Sequence, residues 1–172
     1  MNNRKKIFIV ASLIVFAVIT RLMPHPFNFT AIGALALFSG SVIKNKKLAF
    51  LVPFAAMFTA DLYLGFHSSM IPVYLCFAIT VWMGMTIVKE INLFSVPAAS
   101  ILASILFFVV TNLPFWYADL SLYPLTWEGT MESYTAALPF FGNQVAGDLF
   151  YSATLFGAYS ILKQRYWATS NS

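Results

Sequence analysis

Residues 48–66 read LAFLVPFAAMFTADLYLGF, nineteen positions that contain one charged side chain, that of Asp61. Predominantly apolar runs of about 17–25 residues have the length of a membrane-spanning helix. Lys46 and Lys47 stand directly before the run, and the carboxylate lies five residues before its end. The stretch therefore predicts a transmembrane helix that is basic at its start and carries one carboxylate near its other end.

The whole chain has the composition that this run implies. Of its 172 residues, 60% are hydrophobic and 9% are charged, and the mean hydropathy is +0.78. Ordinary soluble domains have about 45–50% apolar and about 25% charged residues. A domain of this size cannot bury so many apolar side chains in its own core. We therefore expect the lipid bilayer to be its solvent.

Five further apolar runs bring the expected number of spans to six, within a single domain. The spans are 7–23, 29–43, 48–66, 70–88, 94–117 and 144–162. The second is short, because a helix over 29–43 rises only about 22 Å where the hydrocarbon core is about 30 Å thick. We predict an all-α bundle of six transmembrane helices with an outer segment at 118–142, in which 128–138 forms a short interfacial helix stopped by Pro139.

Basic residues are unevenly distributed over the ends of these spans. The side that holds both termini collects Arg4, Lys5, Lys6, Lys44, Lys46, Lys47, Lys89, Lys163 and Arg165, and the opposite side has Arg21. Because cytoplasmic loops are enriched in Lys and Arg, we expect a multi-pass membrane protein with both termini on the cytoplasmic side. The basic residues then report topology, and no nucleic-acid binding is predicted. Residues 19–24 offer no small-residue cleavage site, so we expect the first span to be retained rather than removed as a signal peptide.

Two carboxylates fall inside the predicted spans, Asp61 and Asp148. Ionisable groups in a membrane are costly and usually face a bundle interior or a cavity. Both are expected in the outer half of the bundle, and the inner halves of the spans carry almost no polar side chains. The other candidate binding residues are expected in the same layer or in the loops just above it: Arg21, His25, Asn28, Thr30, His67, Tyr74, Cys76, Asn112, Trp116 and Asn143.

This asymmetry favours a cup that opens to the outside over an ion channel, which needs polar groups through the full depth. We predict that the cup binds an unidentified small molecule, either vitamin-like or an organic anion, and takes part in its uptake. The expected roles are Asp61 and Asp148 as polar anchors, Arg21 as their counter-ion or an anion ligand, Asn28, Asn112 and Asn143 as hydrogen-bond donors, and Trp116 as a stacking wall. The alternative is structural, with Arg21 paired to an aspartate and the polar layer serving only to fix helix packing.

No catalytic or metal site and no cofactor is predicted. The single cysteine, Cys76, excludes an intramolecular disulfide and a cysteine-built zinc site, and two histidines leave little for a metal centre. Neither a Gly-x-Ser-x-Gly elbow, nor a His-Glu-x-x-His helix, nor a nucleotide-binding motif occurs in the sequence. A membrane enzyme that uses Asp61 and Asp148 for acid–base chemistry is a third hypothesis.

Residues 137–144, ALPFFGNQ, place a proline, a glycine and two amides within an otherwise apolar stretch. We expect the helix to be interrupted there. Such a break leaves backbone groups free for a ligand, and a helix N-terminus at this point would favour an anionic ligand group. The alternative is an ordinary re-entry loop.

Several motifs resemble a family of bacterial integral membrane proteins classed as a domain of unknown function. They are HPFNFTAIGALALF at 25–38, DLYLGFH at 61–67, VYL at 73–75, FFVVTN at 107–112, ALPFFGN at 137–143 and GDL at 147–149. The resemblance covers nearly the whole chain and departs from the family pattern at Phe27 and Ala31, where proline is frequent. It implies a relationship without naming an activity.

At the level of architecture the predicted bundle also resembles the S (substrate-binding) component of energy-coupling-factor vitamin transporters. That resemblance implies an outward-facing binding cup and a separate energising ATPase module as partner. It also implies, from the cobalamin-uptake type, that Cys76 serves as a cobalt ligand. The docking signature Ala-x-x-x-Ala of the first helix is not matched, because Ala11 and Ala17 are six residues apart.

Overall fold

A computed structural model describes the backbone of residues 3–120 and 122–170 and the side chains of 7–117, 120 and 122–164. These residues form six α-helices, one short 3₁₀ helix and no strand, which confirms the all-α class. The helices are α1 (Asn3–Leu22), α2 (Ile32–Val42), α3 (Lys46–Leu64), α4 (Met70–Thr86), α5 (Ser95–Thr111), the 3₁₀ helix (Pro114–Leu120) and α6 (Trp127–Ser170). The side chains of Arg4, Lys5, Lys6 and Arg165, which entered the topology prediction, lie outside the described residues.

Two segments are long and apolar enough to cross a membrane, α3 and residues Trp127–Gln164 of α6. The remaining apolar helices are shorter, at Ile7–Leu22, Ile32–Val42, Met70–Thr86 and Ser95–Thr111. The two long segments indicate a membrane protein.

The short helix α2 forms the centre of the bundle. It packs against α3, α4, α5 and α6, and most of its side chains are buried. A helix that is apolar on all sides belongs in an interior. Its closest approach is to α4, where a Cβ atom on either Gly40 or Gly84 would collide with the backbone of the other helix. Two glycines at this crossing therefore let the two backbones touch.

A hydrogen bond between α2 and α3 compensates for a proline inside α3. Pro53 has no N–H, so the carbonyl of Ala49 loses its usual partner within the helix. The buried hydroxyl of Ser39 lies 2.8 Å from that carbonyl and 3.0 Å from its own helix carbonyl at Ala36. A neighbouring helix thus satisfies a backbone group that would otherwise be unpaired in the interior.

The structure corrects the prediction for the last third of the chain. The interruption expected at 137–144 is absent, and Trp127–Ser170 is one continuous helix with Pro139 inside it. On one side of this proline, the Tyr134 hydroxyl donates to a backbone carbonyl of α5 at 2.6 Å. On the other side, the Phe141 ring lies 4.7 Å from a phenylalanine ring of α5. Because α5 holds the helix on both sides, the loss of one backbone hydrogen bond does not end it.

The C-terminal end of α5 is capped by side chains. The last four carbonyl groups of a helix have no partner within it. Here each accepts a hydrogen bond: Phe108 from Asn112 (2.8 Å), Val109 from Tyr134 (2.6 Å), Val110 from Trp116 (2.7 Å) and Thr111 from Tyr117 (2.8 Å). These bonds fix the 3₁₀ helix and the N-terminal part of α6 against α5. They lie at the end of the bundle that holds the candidate site.

Candidate functional site

A cavity of about 360 Å³ lies at the end of the bundle where α1 and α2, α3 and α4, and α5 and the 3₁₀ helix are connected. These connections supply its rim: His25, Phe27, Asn28, Thr30, His67, Ser69, Asn112 and Tyr117. Gly33, Thr80 and Asp148 reach it from inside the helices. Its volume is at the lower end of the roughly 300–1,000 Å³ that small-molecule sites occupy.

Seven of the twelve predicted binding residues line this cavity. They are Arg21, His25, Asn28, Thr30, His67, Asn112 and Asp148. Asp61, Tyr74, Cys76, Trp116 and Asn143 are not among the lining residues. The structure therefore brings most of the predicted polar layer to one place, and ligand binding by these residues stays a prediction.

Asp61 lies behind the cavity, where three helices meet. Its carboxylate is fully buried, Nη2 of Arg21 on α1 lies 3.1 Å from Oδ1, and the Tyr74 hydroxyl on α4 donates to Oδ2 at 2.9 Å. Nε2 of His67 lies 4.0 Å from Oδ1. Asp61 thus ties α3 to α1 and α4, the structural role that the sequence left open for it.

Asp148 faces the cavity from α6 and is 6% exposed. The hydroxyl of Ser104 on α5 donates to Oδ2 at 2.7 Å, and the Gln144 side chain and the Ala34 N–H lie beside the carboxylate. The Ala34 N–H belongs to the first turn of α2, where unpaired N–H groups favour a negative charge. Gly33 makes room for this arrangement, because a Cβ atom there would collide with Oδ1.

Aromatic rings form much of the remaining wall. Six phenylalanines line the cavity: Phe27, Phe77, Phe107, Phe108, Phe140 and Phe141. They are arranged in pairs, with ring centroids 5.4 Å apart for Phe27 and Phe140, 5.7 Å for Phe77 and Phe107, and 4.7 Å for Phe108 and Phe141. Apolar walls with a few converging polar groups are typical of sites for small organic molecules.

The sequence analysis missed a buried polar seam between α5 and α6. Gln144, Asp148 and Ser152 are spaced by four residues along α6, so they share one face of that helix. They meet Ser100 and Ser104 on α5, with Ser152 Oγ 3.3 Å from Ser100 Oγ and Ser104 Oγ bonded to Asp148. The spacing of four was the signal that could have found Gln144 and Ser104.

Three predicted residues serve other contacts or lie elsewhere. Cys76 is fully buried and is not among the residues that line the cavity, a setting in which cysteine usually acts as a small core side chain. The Trp116 indole caps α5 instead of forming a cavity wall. Asn143 is half-buried, one residue before Gln144. Among the described side chains, no group of three or more His, Cys, Asp or Glu residues could hold a metal ion.

Comparison with known proteins places the chain in a family. No curated protein and no solved structure matches it. A family described as "Family of unknown function (DUF6580)" matches residues 1–170, which confirms the resemblance of the sequence motifs to a family of unknown function. The chain therefore belongs to the DUF6580 family.

Proposed function

We propose that this protein is a multi-pass protein of the bacterial cytoplasmic membrane that binds a small molecule in the cavity from the outside and takes part in its uptake. It would act as an S-component-like subunit or as a solitary transporter. The observation that carries this proposal is the cavity itself, which combines a polar rim, aromatic walls and a buried carboxylate at one end of the bundle.

The outer surface of the bundle supports a lipid environment for the shorter helices as well. Large apolar side chains are exposed on every side; examples are Phe8 on α1 (73% exposed), Trp82 on α4 (57%), Leu102 on α5 (47%) and Phe150 on α6 (56%). Soluble monomers rarely expose apolar patches of this extent. With seventeen residues each, α4 and α5 also reach the lower limit of about 17 for a spanning helix.

Although α2 is short, it can still count as one of six membrane crossings. Its eleven residues rise about 16 Å, roughly half of the hydrocarbon core. However, α2 is surrounded by protein rather than lipid, and residues 28 and 30 of the connection before it line the cavity. Non-helical backbone at membrane depth is tolerated in such surroundings.

The positions of the basic residues support an orientation with both termini inside. Lys44, Lys46 and Lys89 lie in or beside the connections at the end of the bundle opposite the cavity. At the cavity end Arg21 is paired with Asp61. The bias of Lys and Arg towards cytoplasmic loops then directs the cavity to the outside.

The volume of the cavity limits the ligand. About 360 Å³ suits a compact vitamin or metabolite and disfavours bulky members of the vitamin group such as cobalamin. In the S-component case, energy for uptake would come from a separate ATPase module.

The test is a thermal-shift screen of the detergent-purified protein against vitamins, cobalamin included, and against small organic anions, cations and neutral compounds. A ligand at a hundred times its dissociation constant stabilises a protein by about 2.7 kcal/mol. We expect the shift to disappear in Asn112→Ala, whose side chain lines the cavity, and to persist in Asn143→Ala, whose side chain does not. No shift with any compound, or a shift that Asn112→Ala leaves intact, would overturn the proposal.

The competing proposal is a structural or assembly membrane protein. It is favoured by Asp61, whose partners hold three helices together, and it predicts that no compound in the screen raises the melting temperature. An enzyme that uses both carboxylates has less support, because Asp148 lines the cavity and Asp61 does not.

A further inference from the structure

The two charged side chains deepest in the polar layer differ in how their charge is balanced. Asp61 is paired with Arg21 at 3.1 Å. Within the described side chains no Lys, Arg or His nitrogen lies within 4.0 Å of the Asp148 carboxylate. Its hydrogen-bond partner Ser104 and the adjacent Gln144 side chain and Ala34 N–H are all neutral. A buried charge without an opposite charge is costly, so this site favours a cation.

The carboxylate also retains capacity to accept a further hydrogen bond. A carboxylate offers about four lone-pair sites, and the hydrogen bond described for Asp148 is the one from Ser104 at 2.7 Å. Because Asp148 lines the cavity, a bound molecule can supply a further donor.

The aromatic walls of the cavity also favour a positively charged ligand. Five of the six lining phenylalanines, Phe77, Phe107, Phe108, Phe140 and Phe141, come from α4, α5 and α6. The negative face of an aromatic ring attracts an ammonium group. An anion placed at the same depth would meet the Asp148 charge. The Arg21 guanidinium also lines the cavity; its Nη2 is bound to Asp61, and its buried Nε has no hydrogen-bond partner among the described residues.

Resting on the proposed function, we infer that the ligand carries a positively charged nitrogen, a protonated amine or a quaternary ammonium, which binds against Asp148 between these aromatic rings. The rest of such a ligand is compact and points towards the polar rim. This inference narrows the ligand class to small organic cations. It excludes the organic anions that the sequence analysis had left as possible ligands.

The first test compares ligand charge in the unmodified protein. Two matched sets are used in a thermal-shift assay: choline, 3,3-dimethylbutanol and 3,3-dimethylbutanoate; and 2-phenylethylamine, 2-phenylethanol and 3-phenylpropanoate. Within each set the shape is similar and the charge changes from positive to neutral to negative. We expect the cation of at least one set to stabilise the protein, and the neutral and anionic members of that set to have no effect. Stabilisation by a neutral or anionic member that equals or exceeds that by the cation would overturn the inference.

The second test uses variants. Asp148→Asn should raise the dissociation constant of the bound cation by about 10- to 100-fold, the effect of losing a hydrogen bond to a charged group. The matched control Glu132→Gln removes an exposed carboxylate outside the cavity and should leave the constant unchanged. Equal binding by Asp148→Asn and the unmodified protein would overturn the inference. If Asp148→Asn does not fold, the comparison of ligand charge in the unmodified protein still decides.

The two proposals can fail separately. If the screen finds a ligand that depends on Asn112 but carries no positive charge, the uptake proposal stands and the cation inference fails. If no compound of any charge produces a shift, both fail.

Discussion

At the scale of the residue, the two buried aspartates show how partners determine a role. The sequence places both at similar depth in apolar helices, and either could have paired with Arg21. In the structure Asp61 has a cation and a tyrosine hydroxyl as partners, whereas the described partners of Asp148 are neutral donors beside a cavity. The first residue is therefore placed to stabilise the bundle, and the second lies where it would contact the ligand that we propose.

We predict that Asp61→Ala destabilises the protein strongly, because it leaves Arg21 without its buried partner. Breaking a buried ion pair by removing one member costs about 3–5 kcal/mol. Tyr74→Phe removes one hydrogen bond to the same carboxylate and should cost about 1.5–3 kcal/mol, the range for a hydrogen bond to a charged group. The measurement is the melting temperature in detergent, with Tyr63→Phe at an exposed position as the control. A melting temperature of Asp61→Ala equal to that of Tyr63→Phe would contradict a structural role of Asp61.

The sequence predicted the polar residues better than their contacts. The rarity of charges in apolar runs was enough to single out Arg21, Asp61 and Asp148, and two of these three line the cavity. The pairing of Arg21 depends on how α1 packs on α3, which a hydropathy pattern does not contain. Likewise, Cys76 was placed at the right level along α4 but on a face that the bundle buries.

At the scale of the helix, the proline in α3 provides a direct test of packing between α2 and α3. Ser39→Ala removes the hydroxyl that bonds to the Ala49 carbonyl and should cost about 1–3 kcal/mol, because the carbonyl is then buried without a partner. In the Pro53→Ala background the new N–H at position 53 can bond to that carbonyl, so the cost of Ser39→Ala should fall. A double-mutant cycle measured by chemical unfolding gives this coupling directly. Equal costs of Ser39→Ala in both backgrounds would show that the two helices are not coupled through this carbonyl.

The crossing of α2 and α4 gives a second prediction at this scale. Gly40→Ala places a methyl group against the backbone of α4 and should destabilise the protein by about 1–3 kcal/mol. Gly157→Ala in α6 meets no atom within 4 Å and should be neutral or stabilising, because alanine favours a helix over glycine by about 1 kcal/mol. Both variants are compared by melting temperature. Equal values would indicate that α2 and α4 do not approach closely at Gly40.

The helices were predicted more reliably than their boundaries. Each of the six expected spans corresponds to a separate helix, and for the first four the ends agree to within four residues. The end of 94–117 is replaced by a 3₁₀ helix, and 144–162 lies within the longer α6. The prediction of a break near Pro139 was wrong. Proline and glycine disfavour a helix locally, but contacts between α5 and α6 stabilise it there. Those contacts join residues distant in sequence, so a local pattern cannot show them.

At the scale of the whole molecule, the two ends of the bundle differ in chemistry. One end holds the cavity with its amides, histidines and aromatic rings, and the other carries exposed lysines such as Lys46 and Lys89. The distribution of polar residues along the sequence was sufficient to predict this asymmetry. The cavity itself needed the structure, because half of its lining residues are apolar, phenylalanines among them, and look like ordinary lipid-facing or core positions in the sequence.

The orientation of this asymmetry can be measured by cysteine labelling with a membrane-impermeant maleimide on right-side-out vesicles. The native Cys76 is fully buried, so the unmodified protein should give no signal and serves as the baseline. Asn112→Cys at the cavity should react without permeabilisation, because the orientation that we propose opens the cavity to water on the outer side. Lys163→Cys, exposed at the opposite end, should react only after the vesicles are permeabilised. The reverse pattern would place the cavity on the cytoplasmic side and contradict uptake from the outside, and a lack of labelling at Asn112→Cys in both conditions would show that water does not enter the cavity.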